Sequence, residues 1–261
     1  MHNPLTLTYS TPYEVPPFGD IKIEHFQPAF NLAIEKHNAE IQALIAHEAA
    51  PTFENTVAAL NYSGEDLNKV ASVFFNYLSA NTSKELQDLA VEISPLLTQH
   101  SDNINLNLDL FKRVKAVYKQ KDELKLNGEQ EMLLDKTYKG FVRGGADLPE
   151  QDKARFRAIN ERLSVLTLQF GDNVLSEINN FELIIEDEKD LSGLSEDMIA
   201  QAAKEANNRG HEGKWVFTIH VRVYEPFMAS ADNRALRKKM YQAYTEKGNH
   251  HDEFDNNEII K

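Results

Sequence analysis

The residues of this chain whose types could support hydrolytic chemistry are histidines followed by carboxylates. A helical zinc peptidase site uses the pattern H-E-x-x-H, because two histidines four residues apart share a helix face, bind the metal together and flank a glutamate base. Two His-Glu pairs occur, but the fifth position is Pro51 after His47-Glu48 and Trp215 after His211-Glu212. Neither pair offers a second imidazole, so we interpret both as chance dipeptides.

The other histidines give no stronger indication of a metal site. The stretch His250-His251-Asp252-Glu253 is the densest group of potential ligands, and we interpret it as a solvated turn that could hold an adventitious metal. His25, His100 and His220 stand alone in the sequence, and a single histidine is more often a surface or packed residue than a ligand. No metal ligand is therefore predicted in this chain.

Nucleophilic and phosphate-binding motifs are also missing from the sequence. Ser195 follows Gly193-Leu194 but lacks the second glycine of a nucleophile elbow, and helix capping explains it better. No glycine-rich nucleotide-binding motif occurs, and the acidic stretch 187–190 has too few placed oxygens for a calcium loop. The sequence predicts no catalytic residue and leaves the substrate-binding residues unknown.

Composition restricts the classes of partner. The chain has 28 basic and 41 acidic side chains, a net charge of −13, which repels nucleic acid and anionic membranes. Cysteine is absent, which excludes disulfides, thiolate ligands and a cysteine nucleophile. No apolar run is long enough to span a membrane, and the proline-containing start at 1–17 does not resemble a signal peptide. We expect a cytoplasmic protein, or a periplasmic one if a signal was removed upstream.

Apolar periodicity predicts a mostly helical chain. Five prolines or glycines within the first twenty residues predict an extended arm. A capping box at Thr82 and Glu85 predicts a helix start, as do Thr52, Ser195 and Asp232 as N-caps. We expect an apolar stripe on the longest helix, in which Gly171 marks a bend or a close helix contact. The predicted helices span 24–47, 53–62, 67–78, 108–120, 129–141, 150–179 and 195–207, with others after residues 82 and 232, and the stripe comprises Ile159, Leu163, Leu166, Phe170, Val174 and Ile178.

Two segments have a strand-like pattern. Residues 181–186 are short and rich in Leu and Ile, and apolar residues alternate with others from Trp215 to Val223. We predict two neighbouring strands. The fold class is therefore mainly α, a multi-helix domain with a small β-sheet.

The order of short motifs along nearly the whole chain carries a family resemblance. The motifs include Pro16-Pro17-Phe18, Pro51-Thr52-Phe53-Glu54-Asn55-Thr56, Phe74-Phe75-Asn76, Leu168-Gln169-Phe170-Gly171-Asp172 and Gly213-Lys214-Trp215-Val216-Phe217. In this order they resemble the thimet oligopeptidase and peptidyl-dipeptidase family of zinc metallopeptidases. Phe74-Phe75 and the stretch 79–82 look more like the peptidyl-dipeptidase branch.

This resemblance implies one wall of a channel-type metallopeptidase. Residues 1–224 would be the amino-terminal helical domain, and 225–261 the beginning of a catalytic region that stops before the zinc site. The family's activity is the release of dipeptides from the carboxyl end of oligopeptides, so the implied partners are an oligopeptide substrate and the missing carboxyl-terminal catalytic domain. Zinc would belong to the full-length protein, and this chain alone is predicted to be inactive. One departure is His220-Val221-Arg222-Val223-Tyr224, where the family usually has Pro-Ser-Tyr.

A second hypothesis from a different class stays open. The chain could be a stand-alone helical module that binds peptides or a partner protein without catalysis. A reading frame that continues through H-E-x-x-H would favour the first hypothesis, and a native stop after Lys261 the second.

Overall fold

The computed structural model describes residues 3–261, and the predicted mainly α fold is confirmed. A two-stranded antiparallel sheet is formed by β1 (Leu183–Ile185) and β2 (Trp215–Phe217). The longer helices are α1 (Phe26–Ile45), α3 (Glu65–Ala80), α4 (Lys84–Asn105), α5 (Leu108–Lys119), α6 (Gly128–Arg143), α7 (Glu150–Asn180), α8 (Glu196–Asn208), α9 (Val221–Ser230) and α10 (Arg234–Thr245). The short ones are α2 (Ala59–Tyr62), which continues a π-helical turn at Phe53–Ala58, and α11 (Asn257–Ile260).

The described chain divides into two compact units. The first unit runs through Val165 and the second from Leu166 to Lys261, so the division falls within α7. The boundary between residues 224 and 225 that the resemblance implied concerns the start of a catalytic region, and it stays a prediction.

Aromatic packing joins α1 to α3 in the first unit. Phe74 of α3 meets Phe26 and Phe30 of α1 edge to face, with ring centroids 5.1 and 5.5 Å apart, and all three rings are buried. Edge-to-face pairs of this kind are worth about 0.5–1.5 kcal/mol beyond their area burial. A second apolar cluster joins α5, α6 and the end of α1 through Leu110, Phe111, Val114, Phe141 and Ile41.

The sheet carries the core of the second unit. Leu183 pairs with Phe217, and Ile185 pairs with Trp215. Leu183 and Ile185 are buried while Ile184 between them is exposed, because alternate strand residues face opposite sides of a sheet. Phe217 packs on Phe227 of α9 with a centroid distance of 4.8 Å, and helices α8, α9 and α10 cover this face.

Several predicted element ends are wrong. The alternating segment forms a strand only over β2, and Val221 and Val223 belong to α9. The N–H groups of Val223 and Tyr224 donate to the carbonyl of His220, which precedes that helix. The N-cap of α4 is Ser83 rather than Thr82, and that of α10 is Asn233 rather than Asp232. By contrast, Ser195 caps α8 as predicted.

The proline-containing start is not simply extended. Short 3₁₀ turns occur at Pro4–Thr6 and Pro12–Glu14, and Asn3 donates a hydrogen bond of 2.7 Å to the carbonyl of His25. The first two residues of the predicted arm lie outside the described residues. The helix α7 continues through Gly171, and a Cβ there would meet no described atom within 4 Å, so a close helix contact is not its explanation.

An apolar stripe was predicted for α7, but the buried side chains of this helix are charged. Within the part of the chain that the structure describes, these are Lys153 and Glu177. Lys153 donates to the carbonyl of Leu106 in the first unit, whereas Glu177 accepts from the backbone N–H of Gly248 in the second. Three stripe residues, Ile159, Leu163 and Phe170, are 47, 53 and 40% exposed.

Candidate functional site

One group of polar side chains in the first unit forms a chain of hydrogen bonds that starts at Ser63. The ring of His37 on α1 lies 3.1 Å from the Ser63 hydroxyl through Nε2 and 2.9 Å from Nε2 of His100 on α4 through Nδ1. His100 is 5% exposed, and His37 is half-buried. His100 stands alone in the sequence, but in the fold His37 contacts it.

The hydrogen bonds assign the direction of each proton along this chain. The Ser63 hydroxyl donates to the carbonyl of Leu60 at 2.7 Å, so it accepts from Nε2 of His37. Nδ1 of His37 then accepts from Nε2 of His100, and Nδ1 of His100 has no hydrogen-bond partner among the described residues. Because the nitrogen facing Ser63 is a donor, His37 cannot take the serine proton. The arrangement therefore does not make Ser63 a nucleophile.

Burial controls the protonation of this pair. Removal from water lowers the pKa of both imidazoles, since it penalises the charged form. The neighbouring ring of His37 lowers the pKa of His100 further, and Glu40 acts in the opposite direction on His37. Both rings are thus held neutral, and the pair links α1 to α4.

Sequence position gave a partial signal for the pair. His37 lies four residues after Ala33 and four before Ile41, and both of these are buried. His100 lies seven residues after the buried Ile93. Each histidine therefore lies on the apolar face of its helix, which predicts burial, but no local pattern predicts that they meet.

The second unit contains an ion-pair network around Glu182. His211 approaches Glu182 with a nitrogen-to-oxygen distance of 2.8 Å, and Arg209 approaches the other carboxylate oxygen at 3.1 Å. Burial would raise the pKa of Glu182, but the hydrogen bonds from His211 and Arg209 outweigh it and the pKa is lowered. Arg209 also binds Glu205 at 2.6 Å, so the network fastens the end of α8 beside β1. His211 therefore serves an ion-pair network that holds the structure together, and the His211-Glu212 pair does not form a metal site with any other described residue.

The remaining predicted candidates lie apart from one another. His250 binds Glu177 at 2.9 Å, and His251 lies 3.6 Å from Asp255 in the predicted turn. His47 is exposed after α1, with its Nδ1 accepting from the N–H of Ala49. Nδ1 of His25 accepts from the N–H of Lys22, and His220 precedes α9.

A cavity of about 320 Å³ lies between the end of α5 and the start of α6. Tyr118 stacks on Tyr138 at a centroid distance of 3.9 Å, and its hydroxyl lies 3.3 Å from Asp135. Lys139 binds Asp135 at 2.6 Å and lowers the pKa of that carboxyl. The cavity is lined by acidic side chains together with Leu126 and Met132, a combination that suits a small ligand with an apolar body. The described lining contains no nucleophile paired with a base.

None of the helices described is both long enough and apolar enough to span a bilayer.

Comparison with known proteins agrees with the motif order. The chain is 35% identical over 259 residues to the dipeptidyl carboxypeptidase of Escherichia coli (strain K12), a match that covers 99% of this chain and 38% of that protein. It is similar to the dipeptidyl carboxypeptidases. The Salmonella typhimurium (strain LT2) protein of that name is 37% identical over 253 residues, with 96% of this chain and 37% of that protein covered.

The oligopeptidases are a more distant match. Oligopeptidase A of Escherichia coli is 29% identical over 265 residues, which cover all of this chain and 38% of that protein. The predicted resemblance, including its closer approach to the peptidyl-dipeptidase branch, is therefore confirmed. The chain spans about 38% of the length of the relatives it matches. No protein-family model matches it.

The donor set described here does not fit the zinc that the resemblance implies. A catalytic zinc site has three protein ligands and an open position. Among residues 3–261, no group of three or more histidine, aspartate or glutamate side chains is arranged to hold a metal ion. Potential metal ligands contact one another only in pairs among these residues, as in His37 with His100, His211 with Glu182 and His250 with Glu177.

Proposed function

We propose that this chain forms the amino-terminal substrate-channel or lid domain of a zinc metallopeptidase that releases dipeptides from the carboxyl end of oligopeptides. The observation that carries the proposal is similarity over 96–99% of the chain to two dipeptidyl carboxypeptidases. Its partners would be the oligopeptide and a carboxyl-terminal catalytic domain that supplies the zinc. The proposed compartment is the cytoplasm, or the periplasm if a signal was removed upstream.

The proposal includes inactivity of the 261-residue chain by itself. Bound zinc lowers the pKa of water to about 7, a change that is worth about 12 kcal/mol at about 1.36 kcal/mol per pKa unit. Pairs of side chains do not supply an electrophile of that strength. The imidazoles of His37 and His100 are already committed to one another, and His211 is committed to Glu182.

The exposed part of α7 supports the role as a domain that docks on a further one. Ile159, Leu163 and Phe170 present apolar surface to solvent on the longest helix. Such surface on a soluble protein is typical of an interaction face. In the proposed enzyme it would be covered by the catalytic domain.

A chimera tests this role directly. The chain would replace the matched part of the Escherichia coli dipeptidyl carboxypeptidase, and release of dipeptides from an amino-blocked peptide would be measured with and without a metal chelator. We expect chelator-sensitive release by the chimera and none by the 261-residue chain. A folded, zinc-loaded chimera without activity would contradict the channel role, and chelator-sensitive release by the chain alone would contradict its inactivity.

The exposed apolar side chains of α7 favour a second candidate function, a stand-alone helical module that binds a peptide or a partner protein without catalysis. The coding sequence separates the two candidates. A frame that continues through H-E-x-x-H supports the peptidase, whereas a native stop after Lys261 supports the binding module.

A further inference from the structure

One pair of helices in the second unit carries a net positive charge, although the chain as a whole is negative. The segment 221–247, which contains α9 and α10, has six basic and three acidic side chains, although the whole chain has a net charge of −13. The helix α10 itself contains four basic residues and no acidic one. A positive surface is therefore concentrated within an otherwise acidic molecule.

Three of the four basic residues of α10 share one face with an exposed tyrosine. Arg234, Arg237, Lys238 and Tyr241 follow at steps of three, one and three, which places them on one side of a helix. With Met228 of α9 and Ala235 they line an open groove of about 760 Å³. Tyr241 is 54% exposed, so an aromatic ring stands among the cations.

Two of these cations form no ion pair within the described chain. Arg237 donates from its guanidinium to the carbonyls of Ala231 and, at 3.0 Å, Asp232, and so helps to end α9. Arg234 and Lys238 are exposed and form no ion pair with any described carboxylate. Their charges are free to meet a ligand.

Aromatic stacking joins the two helices α9 and α10. Tyr224 of α9 stacks on Tyr244 of α10 with ring centroids 3.9 Å apart and planes 6° from parallel. Lys247 lies over the outer side of Tyr244 at 3.8 Å. The two helices that form the groove are thereby fixed to one another, and a fixed site loses less entropy on binding.

We propose that this α9–α10 groove binds an acidic peptide segment that also carries an apolar side chain. The carboxylates would meet Arg234 and Lys238, and the apolar side chain would pack on Tyr241 and Met228. Tyrosine and arginine are enriched at interfaces, where one aromatic anchor and charged neighbours determine the partner. A short acidic peptide is favoured over nucleic acid because the rest of this chain repels an extended polyanion.

Binding is measured by fluorescence anisotropy with the 261-residue chain and a labelled peptide of glutamates and leucines. The comparison probes are the same peptide with glutamine in place of glutamate, and a single-stranded oligonucleotide. We expect the acidic peptide to bind more tightly than both. Raising the ionic strength from about 0.1 to about 1 M shortens the Debye length from about 10 to about 3 Å, so its binding should weaken steeply.

Matched variants locate the site. The double variant R234E/K238E should weaken binding by about tenfold or more, because like charges then face each other. The control K125E/K204E makes the same change in net charge at exposed lysines elsewhere and should bind as the original chain does. Y241A should weaken binding of the acidic peptide and leave its salt dependence in place. Circular dichroism confirms that each variant is folded.

Four results would overturn the proposal. These are equal binding of the acidic and glutamine peptides, equal loss in the control variant, tighter binding of the oligonucleotide, and self-association of the chain that R234E/K238E abolishes. The last would assign the groove to a second copy. Because none of these measurements involves hydrolysis, their failure is distinct from a failure of the proposed peptidase role.

Discussion

The imidazoles of His37 and His100 share one hydrogen bond in a site that opposes positive charge. Their hydrogen-bonded nitrogens are 2.9 Å apart, and protonation of both would place two cations side by side. The charged group that acts on His37 is Glu40, whose carboxylate accepts from the N–H of Gly64. Because the folded chain disfavours protonation of these two imidazoles, the free energy of unfolding depends on pH.

The direction of that dependence follows from the lowered pKa values. Each imidazole has a lower pKa in the folded chain than the ordinary value of about 6.5, so the unfolded chain binds protons first as the pH falls. The contribution to the free energy of unfolding is fully present above about pH 6.5 and is lost below it. We expect the urea concentration at the unfolding midpoint of the first unit to decrease as the pH is lowered from about 7.5 to about 5.5.

Two variants test the assignment of this effect to the pair. H100Q keeps a side chain that can donate to His37 but removes one titrating group, so it should flatten the dependence between these pH values. H47Q replaces an exposed histidine after α1 and should retain the slope of the original chain. An unchanged slope in H100Q would contradict the role of the pair.

Gly193 provides a test of close backbone approach. Its φ is 86°, and a Cβ there would lie 2.1 Å from the carbonyl oxygen of Ser230. Gly213 has a similar φ of 79°, with no described atom within 4 Å of its Cβ position. G213A should therefore cost only the left-handed backbone penalty of about 1–2 kcal/mol, and G193A about 3 kcal/mol or more. Thermal unfolding measures both, and equal losses would argue against the close approach.

At the scale of elements, Ser83 determines where α4 begins. Its hydroxyl accepts from the N–H of Leu86 at 3.3 Å, and Thr82 makes no such bond within the described chain. S83A should lower the free energy of unfolding by about 1 kcal/mol, and T82A by much less. Denaturant titration of the two variants distinguishes them. A larger loss in T82A would restore the predicted capping box at Thr82 and Glu85.

Helices were predictable here, and their exact ends were not. The apolar periodicity of α1, α3 and α7 located these helices to within a few residues. Thr82 and Ser83 can both cap a helix, so residue type alone cannot decide between them. The same limit applies to Asp232 and Asn233 before α10, where the Asn233 side chain accepts from two backbone N–H groups.

The segment after β2 shows how tertiary context overrides local pattern. The alternation from Trp215 to Val223 is typical of a strand, but β1 offers only three residues for pairing. Beyond Phe217 the backbone has no strand beside it in the described sheet, and the N–H groups of Val223 and Tyr224 donate to the carbonyl of His220 in the first turn of α9. The pairing of His37 with His100 was unpredictable for a related reason, since 63 residues separate them.

At the scale of the whole molecule, α7 combines two buried charges with exposed apolar side chains. Its stripe was predicted from the sequence, but Ile159, Leu163 and Phe170 remain 40–53% exposed. An apolar helix face is normally buried against another element. The exposed apolar side chains of this face therefore support the proposal that a further domain covers it.

Dye binding tests whether that face is open in solution. We expect the 261-residue chain to increase the fluorescence of an anilinonaphthalene dye, because such dyes bind exposed apolar surface. I159Q and F170Q should each reduce the signal, whereas Y62Q, which changes an exposed aromatic residue outside the stripe, should not. A cooperative urea transition would exclude loose packing as the source. The chimera with the catalytic part of the Escherichia coli relative should bind less dye than the chain alone, because docking would cover Ile159 and Phe170. Equal dye binding by the chimera and the chain would contradict the proposal that the catalytic domain covers this face.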